Sequence, residues 1–215
     1  MRQLSPSDYP WAEPARTGLL TEETLHEGDV SGEVSGRVPV AAVGSNASPT
    51  VLQGKLGGLL STGLPIGEAQ VERLAVGHSA HVSARGYVAA APFAGAASRP
   101  VTVCWFDQPQ LEAMDLTEPN YQRVPLPGSM PCLLGGEPLT GVEVYDSVHG
   151  VLGESGSPLE LRDQAGVLGW LGRRLPTHLA EVMDHDRLLD PGLREQVRCA
   201  LATSDLALPS GLGDG

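Results

Sequence analysis

An α+β fold is what this sequence predicts: a small, mixed, strongly bent β-sheet or barrel from residues 38 to 148, peripheral helices, and a C-terminal helical extension. Three observations carry that expectation. Apolar runs of strand length recur through this range, each bounded by Gly, Pro, Asp or Asn, and only two short helical patterns interrupt them. Glycine (27) and proline (18) are abundant while aromatic residues make up 4%, a composition of turns and aliphatic strands rather than of a helical bundle. Beyond residue 150, apolar residues recur at helical rather than strand spacing.

Residues 1–36 carry Pro6, Pro10, Pro14 and the acidic stretch Glu22, Glu23, Glu27, Asp29, Glu33 without apolar periodicity, which predicts a loosely held arm, dispensable for folding. Val38 to Val43 is an apolar strand closed by Gly44-Ser45-Asn46. A helix follows, with Ser48 as N-cap, Pro49 as first residue and Val51, Leu52, Lys55, Leu56 and Leu59 at helical spacing until Gly57, Gly58 and Gly63 end it. Further strands are expected over His81 to Ala84 with Gly86 to Ala91, Pro100 to Phe106, Tyr121 to Leu126, and Val142 to Val148. Asp107 and Gln110 form a capping pair for a short helix bearing Leu111 and Met114, which Pro119 stops. Residues 37–150 make one domain on this reading, and 151–206 a helical extension packed on it. Val167 to Val182 reads as a Gly-interrupted amphipathic segment, and Asp190-Pro191 opens a helix aligning Leu193, Val197 and Leu201. Residues 207–215 are expected to be a loose tail.

The 215 residues include 14 Lys and Arg against 26 Asp and Glu, a formal charge of −12. Such a surface repels phosphate backbones and anionic headgroups, so neither nucleic acid nor a membrane is an expected partner. No apolar run of about 18 residues and no secretion-signal core is present, which predicts a cytoplasmic protein. Three widely spaced cysteines, Cys104, Cys132 and Cys199, are expected as buried free thiols rather than as a disulfide framework. Nothing in the sequence fixes an oligomeric state.

Two motifs carry chemistry. Val43-Gly44-Ser45-Asn46-Ala47, followed by Pro49 and Lys55, places a glycine-led turn between a strand and a helix. Met114-Asp115-Leu116-Thr117-Glu118 precedes Tyr121-Gln122-Arg123-Val124 and sets a glutamate between a helix and a strand. In this order the two motifs resemble the signatures of the γ-glutamylcyclotransferase-like family over about residues 38 to 150. Val43 stands where the family motif has tyrosine, and Ala47 where it has leucine.

The resemblance implies a small-molecule substrate bearing a γ-glutamyl group, no cofactor, a catalytic Glu118, and a binding wall of Val43, Gly44, Ser45, Asn46 and Tyr121. Glu118 would take a proton from the α-ammonium, the freed amine would attack its own γ-carbonyl, and the amides near Gly44 to Asn46 would hold the oxyanion. Independently of any family, glycine at 44 permits positive φ or close ligand approach, although the same residues also make an ordinary strand-to-helix turn. The neighbours Met114, Leu116, Pro119 and Tyr121 suggest an apolar setting that raises the carboxyl pKa of Glu118. Alternatives are a catalytically silent ligand-binding module and an interaction protein using its acidic arm.

Other patterns point elsewhere. His78 and His81 have metal-ligand spacing without a third partner, and read as surface or strand-edge residues. Glu181, Asp184, His185 and Asp186 read as a charged helix end. Ser155 between two glycines lacks the apolar strand that precedes a nucleophile elbow.

Overall fold

A computed structural model describes residues 4–11 and 13–213. It is an α+β structure with two sheets, neither closed into a barrel. The strands are β1 (Gly18–Leu20), β2 (Leu25–Glu27), β3 (Val38–Ala42), β4 (Leu64–Val71), β5 (Leu74–Val82), β6 (Val88–Ala94), β7 (Arg99–Phe106), β8 (Tyr121–Pro125), β9 (Cys132–Leu134), β10 (Glu137–Leu139), β11 (Glu143–Ser147), β12 (Val151–Glu154), β13 (Ser157–Pro158) and β14 (Ala207–Leu208). The helices are α1 (Pro49–Leu56), α2 (Gln108–Thr117), α3 (Gln164–Gly172), α4 (Thr177–Ala180) and α5 (Pro191–Ala202).

The larger sheet runs β10-β9-β4-β7-β3-β11-β8, with the β1–β2 hairpin added to β4. All its pairings are antiparallel except β3 with β11. The smaller sheet runs β13-β12-β5-β6, with β14 on β12. One face of the larger sheet packs on α1 and α2 through Leu52, Leu56, Leu60, Leu111 and Met114. The smaller sheet packs on α3 and α5 through Val167, Trp170, Leu171, Val197 and Leu201. Where the expected element boundaries rest on caps they agree closely. Asp107 and Gln110 form a reciprocal capping box for α2, and Asp190 caps α5 by accepting from the Leu193 N–H at 2.7 Å.

Several expectations are corrected. The N-terminal arm is not loose: β1 and β2 extend the larger sheet, and Tyr9, Leu20 and Val30 are buried. Its apolar residues are too few for periodicity, but Tyr9, Leu20 and Val30 each join a core cluster. The expected loose tail is also tied down, since Ala207–Leu208 pairs with β12 and Leu212 is buried. Most of β5 carries no strand signal because it is buried along its whole length and therefore does not alternate, and β4 alternates only over Gly67 to Val71, behind a buried start that contains Pro65. The 167–182 segment is two helices, broken where Leu175 precedes Pro176. Cys199 is exposed on α5, whereas Cys104 and Cys132 are buried thiols.

β6 is an edge strand, and the way its edge is sealed places much of the site. Gln164 pairs with the Val88 backbone in both directions: the Val88 N–H donates to Gln164 Oε1 (2.9 Å) and Gln164 Nε2 donates to the Val88 carbonyl (3.0 Å). Two residues along, the Ala90 N–H donates to Tyr9 Oη (2.8 Å) and Tyr121 Oη donates to the Ala90 carbonyl (2.8 Å). Side chains thus satisfy the peptide groups that an edge leaves open to another strand.

Candidate functional site

Glu118 and the Gly44-Ser45-Asn46 turn meet at a cavity of about 940 Å³. The turn is a single 3₁₀ segment at the end of β3, and α1 begins immediately after it. Glu118 is the C-terminal cap of α2. That helix is held against α1 by its apolar face and by the buried Gln110, whose Nε2 donates to the carbonyls of Leu59 (3.0 Å) and Gly63 (3.1 Å). Docked in this way, α2 ends opposite Asn46 and Lys55. Asn46 Nδ2 donates to Glu118 Oε1 at 2.9 Å, and Lys55 Nζ donates to Asn46 Oδ1 at 2.8 Å and to Glu118 Oε1.

The result is a closed triangle of carboxylate, amide and ammonium. Both donors use Oε1, and among the described residues no group donates to Glu118 Oε2. Only 11% of the Glu118 side chain is exposed. The apolar niche expected around Glu118 is therefore replaced by a cation and an amide. In the sequence Lys55 is marked by its helical spacing and by its place after the Gly44-Ser45-Asn46 turn, not by any sign of a carboxylate partner. Its place at the carboxylate follows from the 3.6-residue period of α1, which sets it one turn beyond Val51 on the cavity side.

The other expected residues divide. Val43, Ser45, Asn46 and Tyr121 line the cavity. Gly44 lies behind the lining. Its φ is +61°, and a Cβ there would fall 2.7 Å from Ala90 Cβ and 2.9 Å from Tyr9 Oη, so glycine is needed for both conformation and space. Arg123 is turned from the cavity to Asp115 (3.0 Å twice) and Glu143. Tyr145 also donates to Asp115, at 2.7 Å, bracing the last turn of α2.

Tyr9, Trp11, Tyr87 and His81 also line the cavity. Tyr9 stacks on Tyr87 with centroids 4.2 Å apart and planes 15° from parallel, and Trp11 meets both edge-on at 5.0 and 5.4 Å. Burial is the main cause that pushes the Tyr9 and Tyr121 hydroxyls up, with the Glu118 charge adding to it, so both stay protonated. No sequence signal could have found Tyr9, which sits in an aperiodic arm.

The two histidines of the His-x-x-His pair, His78 and His81, are not at the surface: both are buried. His81 Nδ1 lies 2.5 Å from Ser79 Oγ, which is 2.6 Å from Ser147 Oγ. Desolvation, then the neighbouring His149, pushes the His81 imidazole down to about 3, so it is neutral. His78 Nε2 instead accepts from the Arg162 N–H at 2.9 Å. Among the described residues no group of three or more His, Cys, Asp or Glu side chains is placed to hold a metal, and no helix is long and apolar enough to cross a membrane. A second cavity of about 690 Å³, bounded in part by Val30, Gly67, Trp105 and Leu134, lies apart from this chemistry. Its Asp29 carboxylate is already taken up by the Ser31 hydroxyl (2.7 Å) and N–H (3.0 Å).

No protein-family model, curated protein or solved structure matches the chain.

Proposed function

We propose that this protein is a γ-glutamylcyclotransferase-like enzyme that releases 5-oxoproline and a free amine from a γ-glutamyl amine or peptide. The observation that carries the reading is the hydrogen bond between Asn46 and Glu118, 72 positions apart in sequence, at the wall of a cavity large enough to enclose a small organic molecule. Glu118 Oε2 accepts a proton from the substrate α-ammonium. The freed amine attacks the γ-carbonyl carbon and forms the ring C–N bond. The tetrahedral oxyanion collapses as the bond to the leaving nitrogen breaks; that nitrogen takes the proton back from Glu118, and the second proton shed by the ring nitrogen passes over the same carboxylate, so the amine departs as its ammonium. Atoms balance without water, metal or redox partner. Lys55 and Asn46 hold Oε1, which aims Oε2 and removes the entropy of a free carboxylate from the reacting step.

Glu118→Gln keeps shape and polarity while abolishing the base. The urea midpoint of this variant should stay near that of the wild type, and 5-oxoproline release should fall about a hundredfold or more. Full activity in the variant excludes Glu118 as the base. A second reading, a silent ligand-binding module, draws support from Lys55, which pairs with the carboxylate that would act as base. It predicts ligand binding without release of 5-oxoproline. The acidic balance of the chain supports a small-molecule ligand over nucleic acid, and a cytoplasmic location belongs to the same proposal.

A further inference from the structure

One side of the cavity owes nothing to the two motifs. Leu4, Pro6, Tyr9 and Trp11 come from the N-terminal segment and face Glu118 together with Val51, Tyr87 and Leu189. The segment is built into place. Trp11 Nε1 donates to the Ser5 carbonyl at 2.7 Å, and Trp11 itself has φ +54°. Two residues on, Glu13 Oε1 accepts from Ser48 Oγ at 2.9 Å, tying the segment to the start of α1. Tyr9 is held by the Ala90 N–H and fits only because residue 44 is glycine.

Glu118, Asn46 and Lys55 are joined by hydrogen bonds at one end of the cavity, and Ser83 and Arg85 also line it. The aromatic group Tyr9, Trp11 and Tyr87 forms another wall, with Trp11 and Tyr87 only partly buried. Leu189 is half exposed and also lines the cavity. At about 940 Å³ the space is of the size that encloses a drug-sized ligand, which a five-carbon acyl group leaves largely unfilled. Aromatic side chains fixed by their mutual packing offer a low-entropy surface for offset or edge-on stacking.

We infer that the N-terminal segment is a specificity element of this site, with Trp11 and Tyr87 receiving an aromatic group on the leaving amine. The inference rests on the γ-glutamyl reading for the polar end and adds the chemical class of the other: an aromatic amide, such as a γ-glutamyl anilide, over a γ-glutamyl derivative of a small polar amine.

The test compares γ-glutamyl anilide with γ-glutamylglycine on the full chain, reading kcat/KM from 5-oxoproline release and affinity by calorimetry in the non-cyclising Glu118→Gln variant. The anilide should be preferred about tenfold or more, and Trp11→Ala should reduce that ratio by about tenfold. Because Trp11 is only partly buried, its removal leaves the fold standing, which a urea midpoint close to wild type will verify. Equal use of both substrates, or a ratio unmoved by Trp11→Ala, overturns the inference and leaves the proposed reaction intact. Anilide binding that depends on Trp11 without any 5-oxoproline release overturns the reaction and sustains the aromatic subsite. Binding of neither compound overturns both.

Discussion

The clearest residue-scale prediction concerns Gly44, where two independent constraints coincide. An alanine there must hold φ near +61°, which costs an L residue roughly 1–2 kcal/mol, and its Cβ must push against Ala90 Cβ at 2.7 Å and Tyr9 Oη at 2.9 Å. Gly44→Ala should therefore lower unfolding free energy by at least about 2 kcal/mol by urea titration. It should also free Tyr9 from the Ala90 N–H. Asn46 and Lys55 act at the same scale. Each touches the other and the same carboxylate oxygen, so the effects of removing them will not add. Asn46 was legible in the sequence as a turn residue beside a glycine. The family resemblance put Glu118 at the same site, but the hydrogen bond that joins the two, spanning 72 positions, leaves no local pattern.

At the scale of elements, the N-terminal arm most changes the picture. Leu20 on β1 is fully buried among Leu60, Leu64, Ile66 and Phe106, and β1 covers the edge of β4 in the larger sheet. Leu20→Ala should cost about 3 kcal/mol, the scale of a buried leucine whose cavity cannot fully collapse. Thermal or urea unfolding that shifts by less than about 1 kcal/mol would mean that the hairpin rides on the sheet without supporting it. The same reasoning reverses the expectation that the arm is dispensable for folding: its deletion removes an edge strand, the Tyr9 seal on β6 and the Glu13 tie to α1. Helices were better foreseen than strands. Caps such as Asp107 with Gln110 are local chemistry, whereas β5 is recognised only once both its faces are covered.

For the whole molecule, the buried imidazoles make stability depend on pH. Burial is the main cause that pushes His78 down to about 4 and His81 to about 3, while an unfolded chain titrates near 6.5. Between those values the unfolded state binds protons that the folded state refuses, so stability falls as pH drops below about 6.5 and the loss levels off near the folded pKa. Each imidazole adds a slope of up to about 1.4 kcal/mol per pH unit. Asp115, held low chiefly by Arg123, works in the same direction at lower pH, because its contribution is lost as pH falls through its folded pKa. Urea midpoints measured from pH 7 to 4.5 should decline steadily, and His81→Asn should flatten the slope by about one proton. An unchanged slope would show that His81 is protonated in the folded protein.

What the sequence determined by itself was whatever is encoded within a few residues. That includes the α+β class from strand and helix periods, the caps of α2 and α5, the strand β3 leading into the Gly44-Ser45-Asn46 turn, and Glu118 stranded between a helix and Pro119. Tertiary structure decided how these groups meet and which others join them. It brought Lys55 and Asn46 to one oxygen of Glu118, turned Arg123 away to Asp115, buried His78 and His81, and folded Tyr9 and Trp11 from an unpatterned arm into the wall of the cavity. The physical reason is the range of the interactions. Backbone hydrogen bonds in a helix, and caps, join near neighbours and so mark the sequence with periods and signatures. Side chains that seal an edge strand or line a cavity are selected by shape and desolvation from anywhere in the chain, and only the packed fold shows which ones were chosen.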